Sequence, residues 1–565
     1  MLQVSVGVGS APPQTLHRCL QIPEIILQVF AEVALQHSPN TTLAALARTC
    51  RVFEQPALEL LWADPGPYTL HYILNCFPPG LFAYSADQPC HWQPLTLTVP
   101  PSDWARPRRY CNLEGGGGGP GGVGKKLSDP ISVIRTLNPP WASYHEPHCA
   151  ELSILGGTSP DAVLFPRLRK LVISVPGSDN PDRWLRSLFQ SLLSPTLRFV
   201  TVEETFDPEV YPDIDVTPLI QMIVSHTPQL TTLVLITSDS LHVASDLFRN
   251  LCHLQVLTMS YMADNMLPHV AQLKSLKELT IGELDLAARP SKTLQALDNQ
   301  CTFPSLEILA IENVDVLRLT QIMHLFRLSP LHTLWISPLL HTDLTTADMT
   351  AFYRSVDAYV NKQTLQQFQY ELRSSSLSHV DISADALRSL QGFSGLTRLY
   401  IECSGKYLVR DSDIEALACA WPALETFVLH PTEPAQRTRL TLSFLVALAT
   451  HCPCLAAIDV SFDATVVPTT IAIDDSGKTL IKTPLAVLSL NTGFTPIKNP
   501  IEVAHFLAHL FPHLSIALES DWDPTDRSIE SEAGLTEASN IYAARWNEVS
   551  AIIQKLAAEG KEEGK

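Results

Sequence analysis

From about residue 150 to residue 490 the apolar residues fall into one recurring six-residue pattern, Leu-x-x-Leu-x-Leu in relaxed form. It reads LRKLVI at Leu168, LRFVTV at Leu197, LTTLVL at Leu230, LQVLTM at Leu254, LKELTI at Leu276, LEILAI at Leu306 and LHTLWI at Leu331. It resumes as LSHVDI at Leu377, LTRLYI at Leu396, LETFVL at Leu424, LAAIDV at Leu455 and LAVLSL at Leu485. Most steps are 22 to 33 residues long, a period that marks a stacked array in which each unit buries its apolar face on its neighbours. The pattern predicts a strand in each unit. Its first, fourth and sixth positions point inward and the residues between them outward, by the two-residue period of a strand.

Several units share a lead-in of an amphipathic helix and a tight turn before the strand leucine, as in IQMIVSHTPQL, DIEALACAWPALETFVL and SFLVALATHCPCLAAIDV. Helix, turn and strand therefore alternate. The expected fold is α/β: a solenoid over residues 146–520 with a curved parallel sheet and outer helices. Trp335, Arg398, Tyr400 and Asp459, with Thr280 and Val428, fall on outward strand positions. Trp, Tyr and Arg are the residue types that most often anchor interfaces, so Trp335, Arg398, Tyr400 and Asp459 are candidate substrate contacts. The other reading is that Trp335 and Tyr400 fill the sheet face beneath insertions.

A different period opens the chain. Ile22, Ile25, Ile26, Val29, Phe30 and Val33 recur at three- and four-residue steps, the mark of a helix with a broad apolar stripe. Pro23 suits its first turn and Glu24 complements its positive end. The Ser38-Pro39-Asn40 break ends it, and Asn40 or Thr41 is placed to cap a second helix holding Leu43, Leu46, Ala47 and Cys50. A third helix is expected with Pro56 near its start and Leu58, Leu61 and Trp62 on its apolar side. Three helices within residues 19–64 bury little surface, so this motif is expected to pack on something else.

Around these two regions the composition shifts. Residues 1–18 read as a flexible N-terminus, and 65–145 as a Pro/Gly-rich linker with a disordered glycine-rich insert at 114–126. The patches Tyr68–Leu74 and Leu95–Val99 within it could form edges of the first units. Residues 521–565 begin acidic, with Asp521, Asp523 and Asp526. Ile541, Tyr542, Trp546, Val549, Ile553 and Leu556 then fall on one face of a helix expected at about 536–558, suited to cap the open end of the solenoid.

Charge and composition narrow the function. A formal net charge of -19 opposes nucleic-acid binding. The 12 cysteines are scattered and read as reduced, buried thiols rather than a disulfide framework. The first residues lack the charged lead and apolar core of a signal peptide, and no apolar run reaches the ~18 residues of a membrane span. No membrane and no nucleic acid are therefore expected as partners, and the protein is expected in the cytoplasm, the nucleus or both.

Candidate chemistry is thin. Gly119–Lys126 reads GPGGVGKK, where a phosphate-binding loop needs Ser or Thr after its lysine and has Lys126 instead. Pro147 separates His145 from His148 and Cys149 and spoils the helix that would align them on a metal. Cys452-Pro-Cys454 has the wrong spacing for a zinc knuckle and reads as buried repeat thiols. No catalytic motif is present, so no enzyme activity, metal or cofactor is expected.

The strings IPEIILQVF, LAALARTCRVF and PALELLWADP together resemble an F-box, and are similar to the F-box-like proteins of basidiomycete fungi, which carry leucine-rich repeats. The usual Leu before the proline is Ile22 here, a swap that keeps volume and apolarity. The resemblance implies a substrate receptor of an SCF ubiquitin ligase, in which the F-box docks on the adaptor subunit, and through it a cullin, while the repeats select a protein substrate. Pro23, Glu24, Ile25, Ile26 and Phe30, with Leu43, Leu46 and Leu58 behind them, would then form or support the adaptor-binding surface. The alternative is a repeat scaffold without a ligase, its N-terminal helices serving only as a cap whose stripe packs inward.

Overall fold

The structure, a computed structural model, describes residues 22–35, 39–61, 76–78, 82–84, 92–94, 100–106, 136–137, 168–175, 192–204, 217–236, 248, 250–286, 302–339, 344–371, 380–403, 405–431, 439–468, 487–491, 495–511, 514–519 and 533–563. The glycine-rich insert, the loop at Gly119–Lys126, the His145–Cys149 group, the patches 68–74 and 95–99, residues 1–18 and Asp521–Asp526 lie outside the described residues. The chain divides into two compact units, Met1–Ile236 and Thr237–Lys565.

The first unit opens with helices α1 (Pro23–Ala34), α2 (Pro39–Ala47) and α3 (Arg51–Leu61). Ile26, Phe30, Leu43 and Ala57 form their common core, with Val33, Leu46, Phe53 and Leu60 packed against it. Phe30 and Phe53 meet edge to face at 5.2 Å, the arrangement that aligns ring edges with the facing π-cloud. Two boundaries differ from expectation. The second helix starts at Pro39 and stops at Ala47, leaving Cys50 outside it. Cys50 instead starts the third, its carbonyl accepting from the N–H groups of Phe53 and Glu54, and Pro56 lies within that helix rather than near its start.

The same unit then holds an antiparallel pair, β1 (Phe82–Tyr84) and β2 (Trp92–Pro94). After it comes a parallel sheet of β3 (Thr136–Leu137), β4 (Lys170–Val175), β5 (Phe199–Glu204) and β6 (Thr232–Ile236). Helix α4 (Thr217–His226) leads into β6. Leu168, Leu171 and Ile173, and their equivalents Leu197, Val200, Val202, Leu230, Leu233 and Leu235, are buried. These are the first, fourth and sixth positions of the sequence pattern.

The second unit continues the scheme. Its strands are β7 (Val256–Ala263), β8 (Glu278–Asp285), β9 (Ile308–Val314), β10 (Thr333–Pro338), β11 (Gln367–Tyr370), then β12 (Ile382–Ser383) and β13 (Arg398–Cys403). They are followed by β14 (Tyr407–Leu408), β15 (Thr426–Pro431), β16 (Ala457–Val460), β17 (Val487–Asn491) and β18 (Ser515–Glu519). All except β12 and β14 line up in chain order as one parallel sheet. Between the strands run α5 (Leu267–Val270), α6 (Val316–Ile322), α7 (Thr346–Tyr359), α8 (Ala384–Arg388), α9 (Asp411–Ala418), α10 (Ser443–His451) and α11 (Pro500–Leu510). Their starts are written in local chemistry. Thr345 and Asp348 exchange a capping box at α7, and the side chains of Asp315 and Asn499 accept from the first free N–H groups of α6 and α11.

One coupling recurs at the entry of successive strands. The N–H groups of Lys277 and Glu278 both donate to the carbonyl of Gln255, those of Glu307 and Ile308 to Lys277, and those of His332 and Thr333 to Glu307. Gln366 and Gln367 donate likewise to His332, Thr397 and Arg398 to Gln366, Glu425 and Thr426 to Thr397, and Ala456 and Ala457 to Glu425. Each of these repeats thus hangs on the repeat before it through the same pair of bonds.

The expected strand at LSHVDI is not part of the main sheet. Its described end, Ile382–Ser383, pairs with Tyr407–Leu408 in a separate two-stranded parallel ladder. The main-sheet strand of that stretch is β11, from Leu365-Gln-Gln-Phe368-Gln-Tyr370, whose three apolar residues are buried. Aromatics replace leucine at its inward positions, which hid it from a leucine pattern. Counting from Leu365 gives steps of 34 and 31 residues to its neighbours, so the irregular spacing around Leu377 disappears. A further unit, from Leu514 into β18, also went unread.

The C-terminal helix α12 (Ala533–Glu563) packs on the last units. Trp546 is fully buried there, its indole N–H donating to the Thr495 carbonyl at 2.8 Å, and its ring meets Phe462 edge to face at 6.0 Å. Arg545 donates to the Ile497 carbonyl at 2.6 Å.

Candidate protein-interaction surfaces

Two surfaces carry the candidate residues, one in each unit. In the first, α1 divides its apolar stripe between two duties. Ile26 and Phe30 turn into the three-helix core with Leu43, while Leu46 and Leu58 are half-buried. Ile26 and Phe30 are buried in that core, a place from which they support the outward face of α1 rather than form it. Pro23, Glu24 and Ile25 are exposed. With Ile22 (43% exposed), Ile25 (37%) and Val29 (46%) on successive turns, an apolar strip faces outward, and large apolar side chains left on one face mark a place for a partner.

In the second unit the strand register aligns outward residues in columns. One column runs Thr280, Ala310, Trp335, Gln369, Tyr400, Val428, Asp459 across β8 to β16. Trp335, Tyr400 and Asp459 are half-buried and Arg398, two residues before Tyr400, is exposed. The sequence placed these residues on one face and the register brings them together. Val428 departs from expectation: it shares the column but is buried between Tyr400 and Asp459.

The next outward column was missed by sequence reasoning because it lies beyond the six-residue pattern. It holds Glu312, Ser337, Glu371, Glu402 and His430, with Glu402 registered on His430. The Trp335 indole N–H donates to the Glu371 carboxylate at 3.1 Å, and His430 Nδ1 lies 3.6 Å from the Asp459 carboxylate. Nearby on β7 and β8, Tyr261 donates to Asp285 at 2.9 Å. Its phenol is pushed up to about 12, first by burial and then by Asp285, Glu283 and Asp264, so this rim is negative. Arg318 answers part of that charge, 3.0 Å from Asp315 and 3.9 Å from Asp285.

Among the described residues no group of three His, Cys, Asp or Glu could hold a metal. Cys452 is buried as expected, its thiol donating to the Ala418 carbonyl at 3.7 Å. Cys454 is exposed, which corrects the reading of both as buried. No helix among the described residues is long and apolar enough to cross a membrane.

The strand register, the buried Leu-x-x-Leu-x-Leu positions and the helical returns decide the fold class. The repeats are leucine-rich repeats. No family model matches the chain, and no curated protein matches it. Among solved structures it is similar to an internalin (inlF) from Listeria monocytogenes, at 14% identity over 62% of this chain and 86% of that one, TM-score 0.35. It is also similar to the Rad7 and Elc1 complex in yeast, at 14% identity over 59% and 78%, TM-score 0.33. The leucine-rich repeat-containing protein LegL7 from Legionella pneumophila matches at 10% identity over 61% and 90%, TM-score 0.26.

Proposed function

We propose that this protein is a substrate receptor of an SCF-type cullin-RING ubiquitin ligase, with α1–α3 docking on the adaptor subunit and the leucine-rich repeats binding a substrate protein. The observation that carries this reading is the strip Ile22, Pro23, Ile25 and Val29. α1 completes a core with Ile26 and Phe30 and still shows Ile22, Ile25 and Val29 together on one outward face, more apolar surface than single exposed residues leave. The F-box-like order of Pro-Glu, Leu-x-x-Leu and Leu-Trp supports the same reading. The receptor performs no chemistry itself and contributes by holding the substrate near the transfer machinery.

The test is capture of the purified SCF adaptor subunit by the full chain, comparing wild type with an Ile25→Asp, Val29→Asp variant. Both positions are exposed, so the variant is expected to fold, which circular dichroism checks, and to lose the adaptor. A folded wild type that captures no adaptor would sink the ligase reading and leave a repeat scaffold.

A further inference from the structure

We propose that His505 and His509, on the exposed ridge of α11, form a two-imidazole site for a divalent transition-metal ion of the Ni2+, Cu2+ or Zn2+ class. The inference is independent of the receptor reading.

The site begins with spacing. The two histidines stand four residues apart in the string HFLAH, one turn of α11, which sets their Cβ atoms about 5–6 Å apart on one face. Two imidazoles in that relation are how a helix chelates an ion that prefers nitrogen ligands. Both side chains are exposed, while Val503, Ala504, Phe506, Leu507 and Leu510 are buried beneath them. Neither imidazole makes a hydrogen bond or ion pair with a described residue. A histidine in the last turn also suits the negative end of a helix. That accounts for His509 alone, since His505 sits mid-helix.

The frame that carries the pair is stiff, which a ligand site needs. The Asn499 side chain accepts from the Glu502 N–H at the start of α11, the Phe511 N–H closes its end on the Leu507 carbonyl at 2.8 Å, and α12 packs along it. The ridge forms one wall of an open groove of about 580 Å3, with Val467 and Pro468 on the other side. That side is tied to the lead-in of α11 where the Ala464 N–H donates to the Pro496 carbonyl at 2.8 Å. Ile501 and Phe506 add apolar surface to the groove, and an apolar surround limits the water that competes with the ligands. Glu502 lies one turn before His505 on the same ridge but two turns, about 10 Å, from His509. The helix therefore supplies two ligands and water the rest, in keeping with the absence of a three-ligand group among the described residues. The Glu502 carboxylate and the net charge of -19 add a general attraction for a cation.

Isothermal titration of the untagged full-length chain with Ni2+, after alkylation of its exposed cysteines, tests this. One equivalent is expected to bind and to be released by a chelator. Chelation needs both rings at once, so His505→Ala and His509→Ala are each expected to weaken that equivalent about tenfold or more. Both positions are exposed, so the variants are expected to fold, which circular dichroism checks. His226→Ala with His253→Ala, which removes two exposed histidines that share no helix, is expected to leave the affinity unchanged. Absence of the equivalent in the wild type, or its survival when both His505 and His509 are replaced, overturns the proposal. Equal weakening by the His226 and His253 pair does the same, since the ion would then be held by histidines in general.

Discussion

At the scale of single residues, Cys452 shows how burial sets reactivity. Its thiol is pushed from an ordinary 9.0 up to about 12, first by burial and then by Cys419 and Cys454. The thiolate is the nucleophile, so at pH 8 the folded protein holds almost none of it at this position. Brief alkylation read by mass spectrometry is expected to label the exposed Cys252, Cys419 and Cys454 and to spare Cys452 until the chain is unfolded; equal labelling rates would contradict the burial. The sign for stability follows. A folded value above the unfolded one means the fold prefers the neutral thiol, so this contribution is whole below about pH 9 and is lost as pH rises toward 12. That Cys452 is structural was legible from its place in a helix-to-strand turn. That Cys454 is exposed was not, because two residues on either side of a proline in a turn share no fixed face.

At the scale of elements, α1 separates core from surface within one stripe. Phe30→Ala is expected to cost about 3 kcal/mol or more in the stability of the three-helix motif, whereas Ile25→Ala stays within about 0.5 kcal/mol. Hydrogen exchange of the α1–α3 amides measures both, and a mild Phe30→Ala would mean the motif has another core. The stripe itself was plain in the sequence. Its division was not, since six apolar residues in a dozen cover a wider arc than two packed neighbours can bury. β11 shows the complementary failure: the inward positions were apolar throughout, but as Leu365, Phe368 and Tyr370, between glutamines that blurred the outward face. A period counted on one residue type passes over a unit that keeps the volume with another.

At the scale of the whole molecule, the architecture was the most legible part, because one period repeated many times averages out local exceptions. The acidic second column was the least legible: its residues are separated by about 30 positions and only the register sets them side by side. In such an array each unit is supported by its neighbours, so the ends decide how the rest unravels. Trp546→Ala, which empties the contact of α12 with Phe462 and Thr495, is expected to lower stability by about 3 kcal/mol or more and to speed hydrogen exchange first in β17 and β18. Protection of those strands unchanged by the substitution would mean that α12 does not guard this end. The paired N–H bonds at each strand entry bear on the chain's history as well. Since the joints described are made of the same backbone groups and ask nothing of particular side chains, a duplicated repeat would arrive with both of its couplings already in place. The array can therefore lengthen or shorten by whole units while the columns on its outward face are rewritten independently, so that what it binds is free to change without rebuilding what holds it together.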